Sequence, residues 1–221
     1  MTHSKATPNR YAQSASHQEY HARRYGDLEG RLNLAAMRRT LSRALAGVPR
    51  ESRVLDMPCG TGQYCWHLAA AGYQTTAADV APEMLKIASS IGPAALPAGT
   101  QAPVFLVEDV FHLSFPPNSF AASICIRLFN LLNRSGRIAA LRELARVSRT
   151  VIVSYNHPYT MKHLSRVVRH RLGRRSQPKE RFNRECVRSE AAEAGLELQK
   201  LLWVAPVLSE VWLAVLTKHT Q

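Results

Sequence analysis

One carboxylate and two glycines stand together in the stretch Val54–Gly62, which reads VLDMPCGTG. Asp56 ends a short apolar run, and Gly60 and Gly62 follow it before a helical pattern at residues 63–71. Glycine lets the backbone adopt unusual dihedral angles and approach a ligand closely. A helix presents unpaired N–H groups at its start. The stretch therefore predicts a strand, a tight turn and a helix that hold a ligand at the carboxyl end of the strand.

The spacing of the glycines narrows the choice of ligand. The stretch lacks the G-x-G-x-x-G spacing of a dinucleotide site and the G-x-x-x-x-G-K-[ST] spacing of a phosphate-binding loop. A second strand-like run at residues 73–78 ends in Asp79. An acid at the end of the second strand suits the paired hydroxyls of a ribose.

Together, VLDMPCGTG and Asp79 resemble the class I S-adenosylmethionine-dependent methyltransferases, whose first motif typically reads hydrophobic-Leu-Asp-x-x-Cys/Gly-Gly-x-Gly. The resemblance implies S-adenosylmethionine (SAM) as the cofactor. It implies that Asp56, Gly60 and Gly62 shape the site of the methionine end and that Asp79 holds the ribose. The neighbouring residues expected in the same cofactor site are Pro58, Cys59, Thr61 and Val80.

The same resemblance extends to the adenine end of the cofactor. Asp109, after the predicted third strand, is expected to accept a hydrogen bond from the adenine amino group, while the N–H of Val110 reaches a ring nitrogen. Met84 is expected to pack against the adenine, although its helical pattern fits core packing equally well. Tyr25 is expected to reach the cofactor from an N-terminal helix, and packing at a helix surface is the alternative.

Two further residues are candidates for catalysis. Arg127 follows the predicted fourth strand, where it would bind the cofactor's carboxylate, bind an anionic substrate, or pair with Asp109 or Asp56. His157 follows the fifth strand and is the first candidate for a general base, with His112 second. The alternatives are that these histidines are solvated surface residues, or that no base is used and the acceptor is simply held in line with the methyl group.

Strand-like and helix-like runs alternate along the chain, which predicts an α/β fold. Five βα units followed by a terminal hairpin, at residues 196–204 and 211–216, match the seven-stranded, Rossmann-like sheet of the resembling family. Ser135 and Asn183 are predicted to cap helices. We expect an N-terminal helical cap at 1–48 and a SAM-binding domain at 49–221.

Positive charge is concentrated after the fifth predicted strand. The 221-residue chain has a formal net charge of +13 and a pI near 10.2. Residues 158–185 form a basic insertion, expected to cover the substrate, and its stretch 160–175 has the pattern of a basic amphipathic helix. Such a helix suits an anionic substrate, peripheral contact with a membrane, or RNA. A solvated helix packed on the domain is the alternative. Few aromatic residues accompany the basic ones, which makes nucleic acid the weaker option.

Composition also bears on location and on metal binding. No apolar run approaches the roughly 18 residues needed to span a membrane, and the polar N-terminus is unlike a signal peptide. The four cysteines are scattered without a C-x-x-C pair, as in a reduced cytoplasmic protein, so neither a disulfide framework nor a metal site is expected. Cys59 is expected to be a small residue that fits the turn. We therefore predict a cytoplasmic protein, with peripheral contact at the inner membrane face as an option.

The expected function is transfer of a methyl group from SAM to a small or lipid-linked, anionic metabolite. Arg127 and the basic insertion favour this acceptor class, and RNA is the alternative acceptor. No Asp-Pro-Pro-Tyr motif follows the fourth strand, which argues against methylation of DNA base amines. A methyltransferase fold without activity, retained as a basic binding module, is the alternative from another class. The sequence leaves the oligomeric state open.

Overall fold

A single seven-stranded sheet organises the part of the protein that the structure describes. The structure is a computed structural model and describes residues 28–92, 96–157, 181–205 and 209–218. Numbered in chain order within these ranges, the strands are β1 Arg53–Asp56, β2 Gln74–Asp79, β3 Val104–Val107, β4 Phe120–Cys125, β5 Ser148–Asn156, β6 Leu196–Trp203 and β7 Val211–Lys218.

The strands lie in the order β3-β2-β1-β4-β5-β7-β6. β1 to β5 are parallel, and β7 pairs antiparallel with both β5 and β6. This arrangement confirms the predicted Rossmann-like seven-stranded methyltransferase sheet. The chain reverses its direction of winding between β1 and β4, so a crevice opens beyond their carboxyl ends, where open α/β sheets bind ligands.

Helices cover both faces of the sheet. They are α1 Leu28–Ala44, α2 Cys65–Ala70, α3 Pro82–Ser90, α4 Arg134–Val147 and α5 Arg184–Glu193. The helical spacing of Met37 and Leu41 buries one side of α1 against Val54 and Ile152. The opposite face of the sheet packs against α4 and α5 in a second apolar cluster.

The helix caps follow the sequence prediction only in part. Asn183 caps α5, as predicted, because its side chain accepts a hydrogen bond from the N–H of Cys186 at 2.8 Å. The prediction of Ser135 as a cap is wrong. Asn133 caps α4 instead by accepting from the N–H of Gly136 at 2.8 Å, and the Ser135 hydroxyl donates to the Asn133 side chain.

A buried ion pair joins α4 to α5. The Arg137 guanidinium contacts the Glu190 carboxylate at 2.7 Å, and both side chains are almost fully enclosed. The Tyr155 hydroxyl, on β5, donates to the same carboxylate at 3.0 Å. Arg137 also lies over the ring of Phe182, 4.5 Å from its centre. A buried charge needs such a complete set of partners, because removing it from water is costly.

Most of the predicted basic insertion lies outside the described residues, as do Tyr25 and most of the predicted N-terminal cap. The last residues of the insertion belong to the domain itself. Arg181 forms an ion pair with Glu210 at 2.8 Å, and Phe182 is part of the core. Arg181 therefore neutralises an acid of the domain. Among the described residues, no helix has the length and apolar character needed to cross a membrane.

Candidate cofactor site

The turn after β1 is held by the two strands beside it. The N–H of Met57 donates to the carbonyl of Ile124, after which β4 ends, at 2.9 Å. The N–H of Cys59 donates to the carbonyl of Ala78, near the end of β2, at 2.8 Å. These bonds place the turn over the crevice at the carboxyl ends of the strands.

Both glycines of the turn adopt conformations that other residues rarely take. The φ angles are +52° at Gly60 and +79° at Gly62. A Cβ on Gly62 would lie 2.9 Å from the Cβ of Ala88 on α3, whereas a Cβ on Gly60 would meet nothing within 4 Å. Gly62 therefore permits the close approach of the turn to α3, while Gly60 leaves its outer side open.

Asp79 connects the end of β2 to this turn. One carboxylate oxygen accepts the N–H of Gly60 at 2.8 Å, and the other accepts the N–H of Ala81 at 3.0 Å. Burial raises the pKa of Asp79, and nearby backbone N–H groups, first that of Ala81, oppose that rise. Each carboxylate oxygen can accept a second hydrogen bond, so the side chain can still bind two hydroxyl groups.

Asp56 is the most unusual polar group of the site. Its side chain is completely buried, and neither carboxylate oxygen has a hydrogen-bond partner among the described residues. Burial, followed by the nearby charge of Asp79, raises its pKa well above the ordinary value. Because buried polar groups are nearly always paired, this carboxyl group is suited to a positively charged ligand.

The other predicted residues of the turn lie beside these two acids. Pro58 is half-buried, and Cys59 and Thr61 are buried. Burial, together with the charge of Asp56, raises the pKa of the Cys59 thiol, and a protonated thiol is a poor nucleophile. This placement agrees with the expectation that Cys59 is a small residue that fits the turn.

The residues predicted at the adenine end follow directly after β3. The N–H of Glu108 donates to the carbonyl of Asp79 at 3.2 Å, which brings the neighbouring Asp109 to the site. Asp109 is exposed, and one of its oxygens accepts the N–H of Phe111 at 3.0 Å. Val110 is buried in the core.

Two apolar residues predicted in the cofactor site differ in exposure. Val80, directly after Asp79, is 64% exposed at this edge. An exposed valine beside a polar crevice can cover the face of an aromatic ring. Met84 is buried, in keeping with the core-packing alternative for its side chain.

Arg127 lies just beyond β4 in a strained backbone conformation. Its φ is +69°, and its N–H donates to the hydroxyl of Ser154 at 2.6 Å. A positive φ is costly for a residue with a side chain and persists only where the surroundings impose it. Ser154 therefore holds the backbone from which the half-buried Arg127 side chain extends.

His157 lies in the core, and its position corrects the predicted catalytic role. The imidazole ring is fully buried. It stacks on the Trp212 ring, with 5.0 Å between the ring centroids, and meets the Trp203 ring edge-on, with 4.5 Å between the centroids. Its Nε2 donates to the carbonyl of Ser209 at 3.1 Å. A general base must reach the proton that it removes, so we assign His157 to the aromatic packing at the end of β5.

His112, the second candidate base, is exposed, and its Nδ1 lies 3.9 Å from a carboxylate oxygen of Asp109. No metal-binding group of three or more His, Cys, Asp or Glu side chains occurs within the described ranges. The site thus consists of acids, glycines and backbone N–H groups.

Two residues that support the site were missed by the sequence analysis. Arg38 on α1 donates to the carbonyl of Gln63, directly after Gly62, at 3.0 and 3.3 Å. Nothing in the local sequence indicates this contact, because the partners are far apart in the chain. Ser154 was detectable as a polar residue within an otherwise apolar central strand.

Comparison with known proteins agrees with this geometry. Residues 54–150 match a family model described as a methyltransferase domain. YqeM of Bacillus subtilis (strain 168), a protein assigned to the methyltransferases, is 32% identical over 88 residues. That match covers 39% of this chain and 34% of YqeM, so it spans about a third of the relative's length.

Several solved structures share the fold. Magnesium protoporphyrin IX methyltransferase from Synechocystis PCC 6803, with bound S-adenosylhomocysteine, superposes with a TM-score of 0.71 at 17% identity, covering 91% of this chain and 94% of that one. A SAM-dependent methyltransferase from Methanosarcina mazei gives 0.65 at 17% identity, covering 80% and 97%. A Haloferax volcanii methyltransferase in complex with the activator Trm112 gives 0.64 at 18% identity, covering 92% and 96%.

At these identities the structures show the fold alone, and the family model covers residues 54–150, less than half of the chain. Residues 54–150 are thus similar to a methyltransferase domain, and they lie in a sheet that has the fold of solved methyltransferases.

Proposed function

We propose that this protein transfers the methyl group of SAM to a small or lipid-linked, anionic metabolite. The observation that carries the proposal is the pair Asp56 and Asp79 around the glycine turn. Asp56 is buried with no hydrogen-bond partner among the described residues, and Asp79 retains acceptor capacity after binding the turn. When bound, SAM supplies an electrophilic methyl group on a sulfonium sulfur.

The residues present fit this cofactor. Asp56 suits the ammonium group of the methionine end, because a buried carboxylate is stabilised by an opposite charge. Asp79 suits the two ribose hydroxyls. At the adenine end, Asp109 and the N–H of Val110 offer an acceptor and a donor, and exposed Val80 offers an apolar surface.

Catalysis in this proposal depends on positioning. His157 is buried in an aromatic cluster, and holding two reactants in line lowers the barrier without a dedicated base. Arg127 lies at the carboxyl end of β4, next to the crevice, on a backbone held by Ser154. We assign it the task of orienting a carboxylate or phosphate of the acceptor.

The acceptor class rests on charge. A net charge of +13 favours anionic partners. The fold also serves magnesium protoporphyrin IX methyltransferase, so it accommodates an enzyme whose name gives a small-molecule acceptor. RNA is the alternative acceptor, since the same charge attracts a phosphate backbone.

The first test is calorimetric titration of the full chain with S-adenosylhomocysteine. We expect binding in the wild type and a loss of at least about 100-fold in Asp79→Ala, because two hydrogen bonds to a charged acceptor are removed. Glu83→Ala is the matched control, since Glu83 is a nearby exposed acid in the first turn of α3. Absence of wild-type binding would contradict the proposal.

The second test identifies the acceptor class. The protein is incubated with methyl-labelled SAM and separately with a small-molecule extract, a lipid extract and total RNA. We expect label in one of the first two fractions, reduced in the Arg127→Ala variant. Label in RNA alone would select the alternative acceptor, and cofactor binding without label in any fraction would favour a binding module.

A further inference from the structure

One side of α1 combines exposed leucines with exposed arginines. At 100° per residue, positions 28, 32, 36, 39 and 43 fall within about 80° of one another around the helix. Leu28 and Leu32 are 72% and 58% exposed, and Arg39 and Arg43 are also exposed. The buried residues Met37 and Leu41 lie on the opposite side.

This side of α1 borders a groove formed with β6. The groove has a volume of about 450 Å³ and is lined by Arg39 and Arg43 on one side and by residues 201–204 on the other. Trp203 is 39% exposed at this place. We call Leu28, Leu32, Arg39, Arg43 and Trp203 the α1–β6 face.

The two arginines of the face are available to a ligand. Within the described ranges, neither the Arg39 nor the Arg43 side chain forms a hydrogen bond or an ion pair, whereas Arg134 and Arg146 each pair with a glutamate. The face therefore offers two guanidinium groups to an external anion. Their long apolar stems can lie along the groove while the charged ends reach outward.

We propose that the α1–β6 face docks on an anionic phospholipid bilayer. Helices that lie at a membrane surface typically combine leucine and tryptophan with arginine or lysine. Leu28, Leu32 and Trp203 would enter the interface, and Arg39 and Arg43 would contact lipid phosphates. Charge complementarity is what selects an anionic bilayer over a neutral apolar partner.

The same helix is connected to the cofactor site. Arg38, adjacent to Arg39, bonds to the carbonyl of Gln63 in the turn region. The docked helix would therefore hold the cofactor turn close to the membrane, where a lipid-linked acceptor resides. That acceptor rests on the proposed function, whereas the docking itself does not.

Sedimentation of the full chain with vesicles tests the proposal. We expect binding to phosphatidylcholine vesicles that contain about 30% phosphatidylglycerol and weak binding to pure phosphatidylcholine. The double variant Arg39→Gln/Arg43→Gln should weaken the partition coefficient about 30-fold. Leu32→Gln should weaken it without a change in charge.

The matched control is Arg184→Gln/Arg188→Gln. These exposed arginines stand four residues apart on α5, which packs on the other face of the sheet, and the change in net charge is the same. We expect binding within twofold of the wild type. Equal loss in both double variants, or equal binding to neutral and anionic vesicles, would overturn the proposal.

Two further measurements distinguish membrane docking from dimerisation and from loss of the cofactor site. A wild-type dimer in size-exclusion chromatography that Arg39→Gln/Arg43→Gln converts to a monomer would assign the face to a second copy of the chain and overturn membrane docking. Titration with S-adenosylhomocysteine should give wild-type affinity in all variants. Failure of the wild type to bind this ligand would contradict the proposed function. The vesicle experiment would still test membrane docking, because it does not depend on cofactor binding.

Discussion

The backbone N–H of Gly60 donates to the Asp79 carboxylate at 2.8 Å, so the acid at the end of β2 holds the turn that follows β1. The two residues are 19 positions apart: Gly60 lies in the turn after β1, and Asp79 ends β2, the parallel neighbour of β1. Asp79 thus supports the shape of the turn in addition to its proposed contact with the ribose. The turn and the acid therefore act as one structural unit.

Gly62→Ala should destabilise the fold more than Gly60→Ala. Both positions have positive φ, which costs roughly 1–2 kcal/mol for a residue with a side chain. Only at Gly62 would the new Cβ also contact Ala88, at 2.9 Å from its Cβ. Overpacking of this kind adds about 1–3 kcal/mol. The free energy of unfolding in urea measures the difference, and equal losses in the two variants would contradict the close packing.

Asp56→Asn should stabilise the cofactor-free protein at neutral pH relative to the wild type. The folded pKa of Asp56 is raised well above the ordinary value of 3.8. The wild type therefore loses stability as the pH rises from the unfolded pKa through the folded one, since the unfolded state binds fewer protons. Asparagine does not ionise and escapes this loss.

Melting temperatures measured between pH 4 and pH 8 test the prediction for Asp56. The melting temperature of the Asn variant minus that of the wild type should increase by at least about 3 °C from pH 4 to pH 8. A shift of this size corresponds to about 1 kcal/mol in a protein of this length. Asp109→Asn is the control, because that carboxylate is exposed, and it should show no such gain. The Asp56→Asn variant should also bind SAM more weakly.

His157→Ala should reduce stability without changing the pH dependence of methyl transfer. The ring is packed between two tryptophans, and removing such a side chain leaves a cavity that costs about 2–4 kcal/mol. Burial lowers the pKa of His157. The unfolded state therefore binds more protons, and the wild type loses stability as the pH falls below about 6.5.

The variant should lack this loss of stability in acid. Rates measured well below its melting temperature should give a pH profile with the wild-type shape. If the methyl-transfer rate of the variant no longer rises with pH near the histidine pKa, as the wild-type rate does, His157 would be a general base after all.

Arg137→Ala should be far more damaging than Arg134→Ala. Both arginines lie on α4 and pair with glutamates of α5, but the Arg137–Glu190 pair is buried and the Arg134–Glu193 pair is exposed. Removing Arg137 leaves a buried carboxylate without its cation, which costs about 3–5 kcal/mol. Exposed pairs contribute little. Chemical unfolding of both variants, side by side, measures the contrast, and similar losses would show that the enclosed charges are not needed.

Much of the architecture was predictable from local patterns. The strand-like runs located all seven strands. The central strands β1, β4 and β5 were the clearest, because buried parallel strands need continuous apolar residues. Asn183 was recognised as a cap, yet Asn133 was passed over for Ser135. Asn133 and Ser135 are two positions apart, and both residue types commonly cap helices. Which of them is the cap depends on the residue at which the helical conformation of α4 begins.

The sequence by itself determined the glycine turn, the acids at the strand ends and hence the class of cofactor site. These features depend on residues close together in the chain and on the rule that parallel strands end at one edge. Only the tertiary structure decided which side chains are enclosed. It placed His157 between tryptophans from β6 and β7, paired Arg181 with Glu210, and enclosed Asp56 with no hydrogen-bond partner among the described residues. Burial and pairing arise from contacts between distant segments, and no local pattern encodes them.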